Sequence, residues 1–566
     1  MHQPYCPCAK CQSTRDHAFP IERFGAMQHF APDAVPMSAL ESEQRLTPST
    51  TCTQKLKRLS VAVVGGGFAG LMAARTLCRQ GVEVTVFEAH EQVGGRVLSD
   101  YGKFSKGRIT ELGAELVGSI HTRWCALAKE YRLGLISRMD GELYHGQQLE
   151  EKLTLDKELS GDEIRALEKD KIRRVLLPIA KLASRIKDAS RPWDERDPKL
   201  LEEWKRCDGM PVSTALINLG VKPGSRLWLA MEFLLVNDNV KPLEKLNFLG
   251  LLCLVKGGQF GTILQTKEGV LMGYWDELEI YRCADGCQTL ALKIATDIQS
   301  SKYRCELLLR RAVTQIDLKK PFDGKPVSVT TKPVLVKPDN TVVYGPPKVQ
   351  GFDYVIFAIP PSVWADVVFE PKHLHPKDTV GVMETGDAVK FFSDVEERFW
   401  LKTGHAPYGG SLALGQVWEG TDNQTRIGGQ GLVLSVFAGG RSPMPNEKDF
   451  KRELKKLYRN YPEKARTKFA NWPGRPFIKA GLVSPGKNQI FGVGRRLNEP
   501  YLGRLFFAGE HTQMGYFGYM EGALRSGERA AELLLQTACG PSSPAPAKPP
   551  VLVASAARRR EAELPW

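Results

Sequence analysis

The chain has 566 residues, 42% of them hydrophobic and 25% charged, with 78 basic against 64 acidic residues and a formal net charge of +14. That length exceeds one ordinary domain and allows a large apolar core, so two closely packed domains are expected. No apolar run is long enough to cross a bilayer, and the basic residues are scattered rather than interleaved with stacking aromatics; a membrane-spanning protein and a nucleic-acid binder are both disfavoured.

The N-terminal stretch MHQPYCPCAKCQSTRDH has no apolar h-region, which predicts no secretory signal and a cytoplasmic location. Twelve cysteines in 566 residues are too sparse for a disulfide scaffold. Cys6, Cys8 and Cys11 cluster near His2 and His17, but the second ligand pair of a zinc site is missing, so no metal is expected. Residues 1–55 lack periodicity and predict a flexible extension.

From Val61 the pattern changes. A β-branched run, Val61 to Val64, feeds into Gly65, Gly67 and Gly70 at G-x-G-x-x-G spacing. An apolar helical segment follows and stops at Gly81; a second strand, Val82 to Phe87, delivers Glu88. Each part has a task in holding a dinucleotide. Gly65 permits the tight turn, Gly67 lets backbone approach a pyrophosphate, and Gly70 lets helix and strand pack closely. The helix start offers unpaired N–H groups to phosphates, and Glu88 can accept from a ribose diol.

Residues 151–270 predict a largely helical insert, with Ile164, Leu167, Ile172, Val175, Leu176, Ile179 and Leu182 near a 3.6-residue period. Pro178 should kink or divide that helix. Strand signals return in AVTQIDL, VSVTT and FDYVIFAIP, the last as a return to the nucleotide-binding sheet. Residues 385–480 alternate strand-like runs with a polar helix, KDFKRELKKLYRNY, and the Pro/Ala/Ser-rich segment after Cys539 predicts a disordered tail. No internal repeat is present. The expected fold is α/β with two domains. A discontinuous Rossmann-like domain (56–135, 271–360 and 484–537) accepts a helical insert at 136–270 and a substrate-binding domain of mixed sheet plus helices at 361–483. The extension at 1–55 and the tail at 538–566 flank this body.

Gly94-Gly95-Arg96, shortly after the ribose acid, resembles the flavoprotein amine oxidase superfamily, as does LFFAGEHTQMGYFGYMEGALRSGERAAELL from Leu505. The segments ELGAELVGSIHTRW, RRAVTQID and GDAVKFFSDVEERFW agree with it. VKGGQF, YWDELEIYRCADGCQTLALKIA and WEGTDNQ resemble, more narrowly, microbial broad-specificity L-amino acid oxidases. The resemblance spans about residues 58–536 and implies FAD. The cofactor-binding residues it implies are Gly65, Gly67, Phe68, Ala69, Gly70, Glu88, Ala89, Gly95, Arg96, Ala114, Glu115, Val313, Gly509, Glu510, Gly518 and Met520. Arg96 would approach the pyrophosphate and Val313 would bond adenine through its backbone. Glu510 would contact the ribityl–phosphate portion, and the helix opened by Gly518 and Met520 would face the flavin pyrimidine, where a positive helix end stabilises reduced flavin. Lys390 would hold water near flavin N5, and Tyr519 would form an aromatic wall orienting the amine.

Departures from the family pattern are specific. Where several L-amino acid oxidases carry an arginine that grips the substrate carboxylate, this chain has Leu116. Arg282 is the first candidate to replace it and Arg475 a weaker one. Asp285-Gly286 stands for a double glycine, and Phe477 for a tryptophan. At Ile478, where covalent monoamine oxidases link the flavin to cysteine, no thiol exists, so noncovalent FAD is expected.

The implied reaction is oxidative deamination of an L-amino acid, by hydride transfer from Cα to flavin N5 and hydrolysis of the imino acid to a 2-oxo acid and ammonia. Dioxygen takes up the electrons and gives hydrogen peroxide. The expected partners are a small amino acid or amine, dioxygen and a second copy of the chain in a homodimer. Alternatives are a monoamine or polyamine oxidase, an amino-acid monooxygenase, a flavin dehydrogenase, or a flavin-stabilised interaction protein without turnover.

Overall fold

Val61 to Val64 are buried, as a central parallel strand requires. The structure, a computed structural model, describes residues 50–137, 149–259, 263–266, 269–300, 302–422, 424, 431–440 and 446–540. Five parallel strands form the nucleotide-binding sheet: β1 (Ser60–Val64), β2 (Glu83–Phe87), β3 (Cys305–Leu308), β4 (Tyr354–Phe357) and β5 (Leu505–Phe507), in the order β3-β2-β1-β4-β5. The segment FDYVIFAIP therefore does return to this sheet, with Val61 opposite Tyr354 and Val64 opposite Phe357.

Successive residues of these strands serve different cores, as a pleat dictates. Val61, Val63, Val84, Val86 and Ile356 pack on helices α1 (Phe68–Arg79), α2 (Cys287–Ile298) and α3 (Met520–Cys539). Ala62, Val64, Phe87, Val355 and Phe357 turn to the opposite face, where Val313, Ile316, Val327 and Val329 of a second sheet cover them. Close packing of α1 and α3 depends on glycine. A Cβ on Gly527 of α3 would lie 2.2 Å from the carbonyl oxygen of Ala69, and one on Gly70 would lie 1.9 Å from that of Gly65.

The second domain is a six-stranded sheet in the order Arg466–Asn471, Ala388–Val395, Leu432–Gly439, Gly415–Glu419, His405–Ser411 and Glu150–Thr154. Only the last pairing is parallel. Glu150–Thr154 lies at the start of the segment expected to be helical and is instead an edge strand of this sheet, a correction to the helical insert. The polar helix expected near residue 450 runs Glu447–Leu457 and turns Phe450, Leu454 and Leu457 into the sheet's core.

The helical part includes Gly161–Lys171, Leu177–Ser184, Pro198–Asp208, Arg226–Asn239 and Phe248–Gln259. Between the first two lies a π-turn, Ile172–Leu176. Pro178 follows at the second position of Leu177–Ser184. Its missing N–H leaves the carbonyl four residues earlier without an α-helical donor, and a wider turn at this point accommodates that loss. The proline thus divides the helix as expected.

The extension expected over residues 1–55 is shorter than that. Thr50–Leu56 is helical, Leu56 is buried in the core shared with α3, and Cys52 is disulfide-bonded to Cys539 at the end of α3. Residues 1–49, including Cys6, Cys8 and Cys11, and residues 541–566 lie outside the described residues. No helix among the described residues is long and apolar enough to cross a membrane.

Gly527→Ala tests the seam between α1 and α3. Helix propensity favours alanine by about 1 kcal/mol, whereas forcing a methyl against backbone costs about 1–3 kcal/mol. A lower melting temperature and lower FAD content are expected; a stabilised variant would show that the helices can move apart.

Candidate active site

One long cavity runs along the carboxyl ends of the parallel strands, from Glu88, Ala89 and Val313 at one end to Lys390, Trp418 and Tyr519 at the other. This is where a doubly wound sheet places ligands. At the first end, Gly65 has φ +105°, and its N–H donates to the Phe87 carbonyl at 2.8 Å. Gly67 caps α1 in extended conformation without a side-chain hydrogen bond, so the first-turn amides face the cavity unclaimed by any cap.

The Glu88 carboxylate accepts from the N–H of Gly66 at 2.6 Å and of His90 at 2.8 Å. Burial raises its pKa while these amide donors oppose the shift. Arg311 donates its N–H to the Glu88 carbonyl, so the N–H of Val313, two residues along the same strand, points to that cavity edge. The strand Arg311–Asp317 bulges immediately after Val313.

The middle of the cavity is a glycine groove. A Cβ on Gly67 would meet no protein atom nearer than Gly95 Cα at 3.9 Å, so it would project into the groove itself. Arg96 pairs with Glu510 at 2.7 Å and donates to the Gly481 carbonyl, and Glu510 accepts from the N–H of Gly518 at 2.7 Å. At the far end Gly518 has φ +81°, and Tyr519 caps α3, again without a side-chain cap. Gly509, Met520 and Ala114 also line the wall. These walls fit an extended dinucleotide whose phosphates pass the glycines and whose ring system ends at α3.

Lys390 projects from the strand Ala388–Val395 into a buried ionic network. Its ammonium donates to Glu115 at 2.7 Å and to the carbonyls of Glu111 at 2.8 Å and Gly113 at 3.2 Å. Glu115 also accepts from Arg282 Nε at 2.7 Å and Trp418 Nε1 at 3.0 Å. Burial alone would raise the Glu115 carboxyl, but Lys390 and Arg282 hold it down at about 2. Nearby Glu111, buried and accepting from Ser99 and the Cys287 N–H, is pushed up to about 7.

Arg282 does not line the cavity. It sits opposite Leu116 in a short antiparallel pair, is 2% exposed, and spends its guanidinium on Glu115, the Glu419 carbonyl and Asp422. The carboxylate-anchor expectation for Arg282 is corrected accordingly: reaching substrate would strip two buried carboxylates of their partner. Arg475 stacks over Trp472 at 4.7 Å and borders His90 near the Glu88 end, away from Lys390. Phe477 likewise lies beside His90 and Tyr344, not at the Tyr519 end.

Several residues at the Tyr519 end were not singled out from sequence: Asp238, Glu279, Gln416, Phe437 and Trp472. Gln416 donates to Asp238 at 3.1 Å, and burial followed by the neighbouring Glu279 pushes Asp238 up to about 8. The Tyr519 hydroxyl lies 3.4 Å from that of Tyr274. Trp472 donates its Nε1–H to the Leu112 carbonyl, and its ring blocks any side chain at Gly113. No sequence motif marks Asp238 or Glu279, which reach the cavity only through the packing of the insert.

Fold and cavity together define a two-domain dinucleotide-binding oxidoreductase. Residues 68–535 match the family model "Flavin containing amine oxidoreductase", and the chain belongs to that family. It is 27% identical to a flavin-containing amine oxidase B from Sus scrofa over 505 residues, covering 84% of this chain and 86% of the relative. An L-amino acid dehydrogenase from Synechocystis sp. is 24% identical, covering 87% and 96%. A cyclohexylamine oxidase from Brevibacterium oxydans shares the fold, with TM-score 0.62, 18% identity and coverage of 84% and 99%. FAD is therefore the cofactor.

Two outcomes follow. The cavity wall contains no cysteine among the described residues, so acid precipitation should release all FAD into the supernatant; yellow colour retained in the pellet would reveal a covalent link. Glu115→Gln should destabilise the protein by about 3–5 kcal/mol, because Lys390 and Arg282 lose their shared carboxylate. Because the folded pKa of Glu115 is depressed, its contribution is full above about 4.5, its ordinary value, and is lost as pH falls toward 2. The gap between wild type and variant in denaturant titrations should narrow over that window, and a constant gap would contradict the assignment.

Proposed function

We propose that the protein is an FAD-dependent oxidase of small amines, removing hydride from the carbon that bears a neutral amino group. The observation that carries this reading is the charge of the cavity wall at the Tyr519 end. Asp238 and Glu279 line it, and its one cation, Lys390, is engaged by Glu115 and two carbonyls. A substrate α-carboxylate would meet no arginine there among the described residues. Bound FAD supplies the two-electron acceptor, and dioxygen is the terminal oxidant this reading assigns.

The chain's residues supply positioning and electrostatics. Tyr519, braced by Tyr274 and by the His121 ring at 5.3 Å, forms a wall that orients the amine. Burial holds His121 neutral, with its pKa down at about 4, so this wall adds no positive charge. The start of α3 presents backbone N–H groups where negative charge grows on the reduced ring. Lys390 fixes a positive charge beside the ring and supports oxygen reduction. Glu88 and Val313 hold ribose and adenine, and Arg96 the pyrophosphate.

A second reading, an L-amino acid oxidase or dehydrogenase, draws support from the Synechocystis relative. Anaerobic mixing separates the two. Primary amines should bleach the flavin absorbance while L-leucine and L-phenylalanine leave it unchanged. Bleaching by the amino acids alone would overturn the amine reading. Lys390→Met should slow reoxidation by oxygen about tenfold or more; an unchanged rate would remove Lys390 from that step.

A further inference from the structure

Resting on the amine reading, we infer that Asp238 and Glu279 form a distal cation subsite selecting substrates whose chain carries a second protonated nitrogen beyond the amine that is oxidised. The two carboxylates come from different elements. Asp238 is near the end of the helix Arg226–Asn239, and Glu279 precedes the strand Tyr281–Cys283. They converge on the same wall of the cavity that holds Tyr519, Lys390 and Trp418.

Each carboxylate acts electrostatically on the other's surroundings. Glu279 raises the pKa of Asp238, and both raise those of Tyr274 and Tyr519, so four groups that carry negative or no charge share one small region. Like-charged carboxylates in a desolvated cleft are costly unless a cation joins them. Lys171 acts on Asp238 from outside the cavity wall, and its ammonium is bonded to Glu168 at 2.5 Å. Gln416 supplies Asp238 with a neutral donor, which orients the carboxylate without discharging it.

The rest of that wall suits an aliphatic chain lying between two polar ends. Leu116, Phe437, Trp418 and the Tyr519 ring are apolar surfaces on which methylenes lose water. Leu116 stands where an arginine would have drawn a carboxylate. The wall is thus built to stabilise positive charge at its far end and to be indifferent to the chain between.

The test compares cadaverine, an α,ω-diamine, with pentylamine, and L-lysine with L-norleucine, by kcat/KM on the FAD-loaded full chain. Cadaverine should exceed pentylamine by about tenfold or more, as expected for one desolvated charge pair. Asp238→Asn and Glu279→Gln, checked for FAD content, should each pull that ratio toward one. The ratio is the discriminating readout. Carboxylates that served only to take the proton from the reacting amine would lower both substrates alike, and that result overturns the subsite. Equal use of cadaverine and pentylamine by the wild type overturns it without any variant. Preference for L-lysine over L-norleucine by a similar factor supports the same contact in a carboxylate-bearing substrate. Equal efficiencies within both pairs leave the amine reading intact and sink the subsite alone. No flavin bleaching by any amine sinks both.

Discussion

Two helix starts without side-chain caps govern this molecule. α1 begins at Gly67 and α3 at Tyr519, and neither cap residue offers a side-chain acceptor to the first-turn N–H groups. Buried orphan amides are expensive, so each start needs an anionic or carbonyl-bearing partner. FAD meets both demands with one molecule, its pyrophosphate at α1 and its pyrimidine edge at α3. The glycines that bring α1 and α3 against the sheet set the distance between those two ends.

A second constraint joins the domains. Glu115 belongs to the passage after the first nucleotide-binding unit, Arg282 to a short strand near α2, and Lys390 to the substrate sheet. Three elements remote in sequence thus meet at one carboxylate. Removing any member strands a charge in a dry interior, whereas the intact set fixes where the substrate sheet sits over the flavin end. Lys390 therefore serves structure as well as chemistry: the bond that depresses Glu115 also holds the ammonium at the cavity wall.

Much of this was legible in the sequence because backbone requirements dictate residue type. Gly65 and Gly518 take positive φ, Gly70 and Gly67 leave no room or every room for a ligand, and Glu88 must end its strand; such demands leave a trace in spacing. The amine oxidase resemblance of the Leu505 segment predicted a flavin end, and the family match bears it out. Side-chain direction left no such trace. Arg282 lies in a stretch that suggested the pocket, yet the pleat of its pairing with Leu116 carries it into Glu115 and Asp422. Asp238, Glu279 and Gln416 come from three separate elements and acquire meaning only when the insert folds over the cavity. Glu150–Thr154 reads as a short polar stretch because an edge strand needs little apolar patterning.

The most direct test of the account is an experimental structure of the FAD-loaded protein. Extended cofactor density is predicted, with adenosine between Glu88 and Val313, phosphates across Gly67 and Gly95, and the tricyclic ring against Gly518–Met520 facing Lys390. Ring density at any other place, or a cofactor whose phosphates avoid the start of α1, would contradict it.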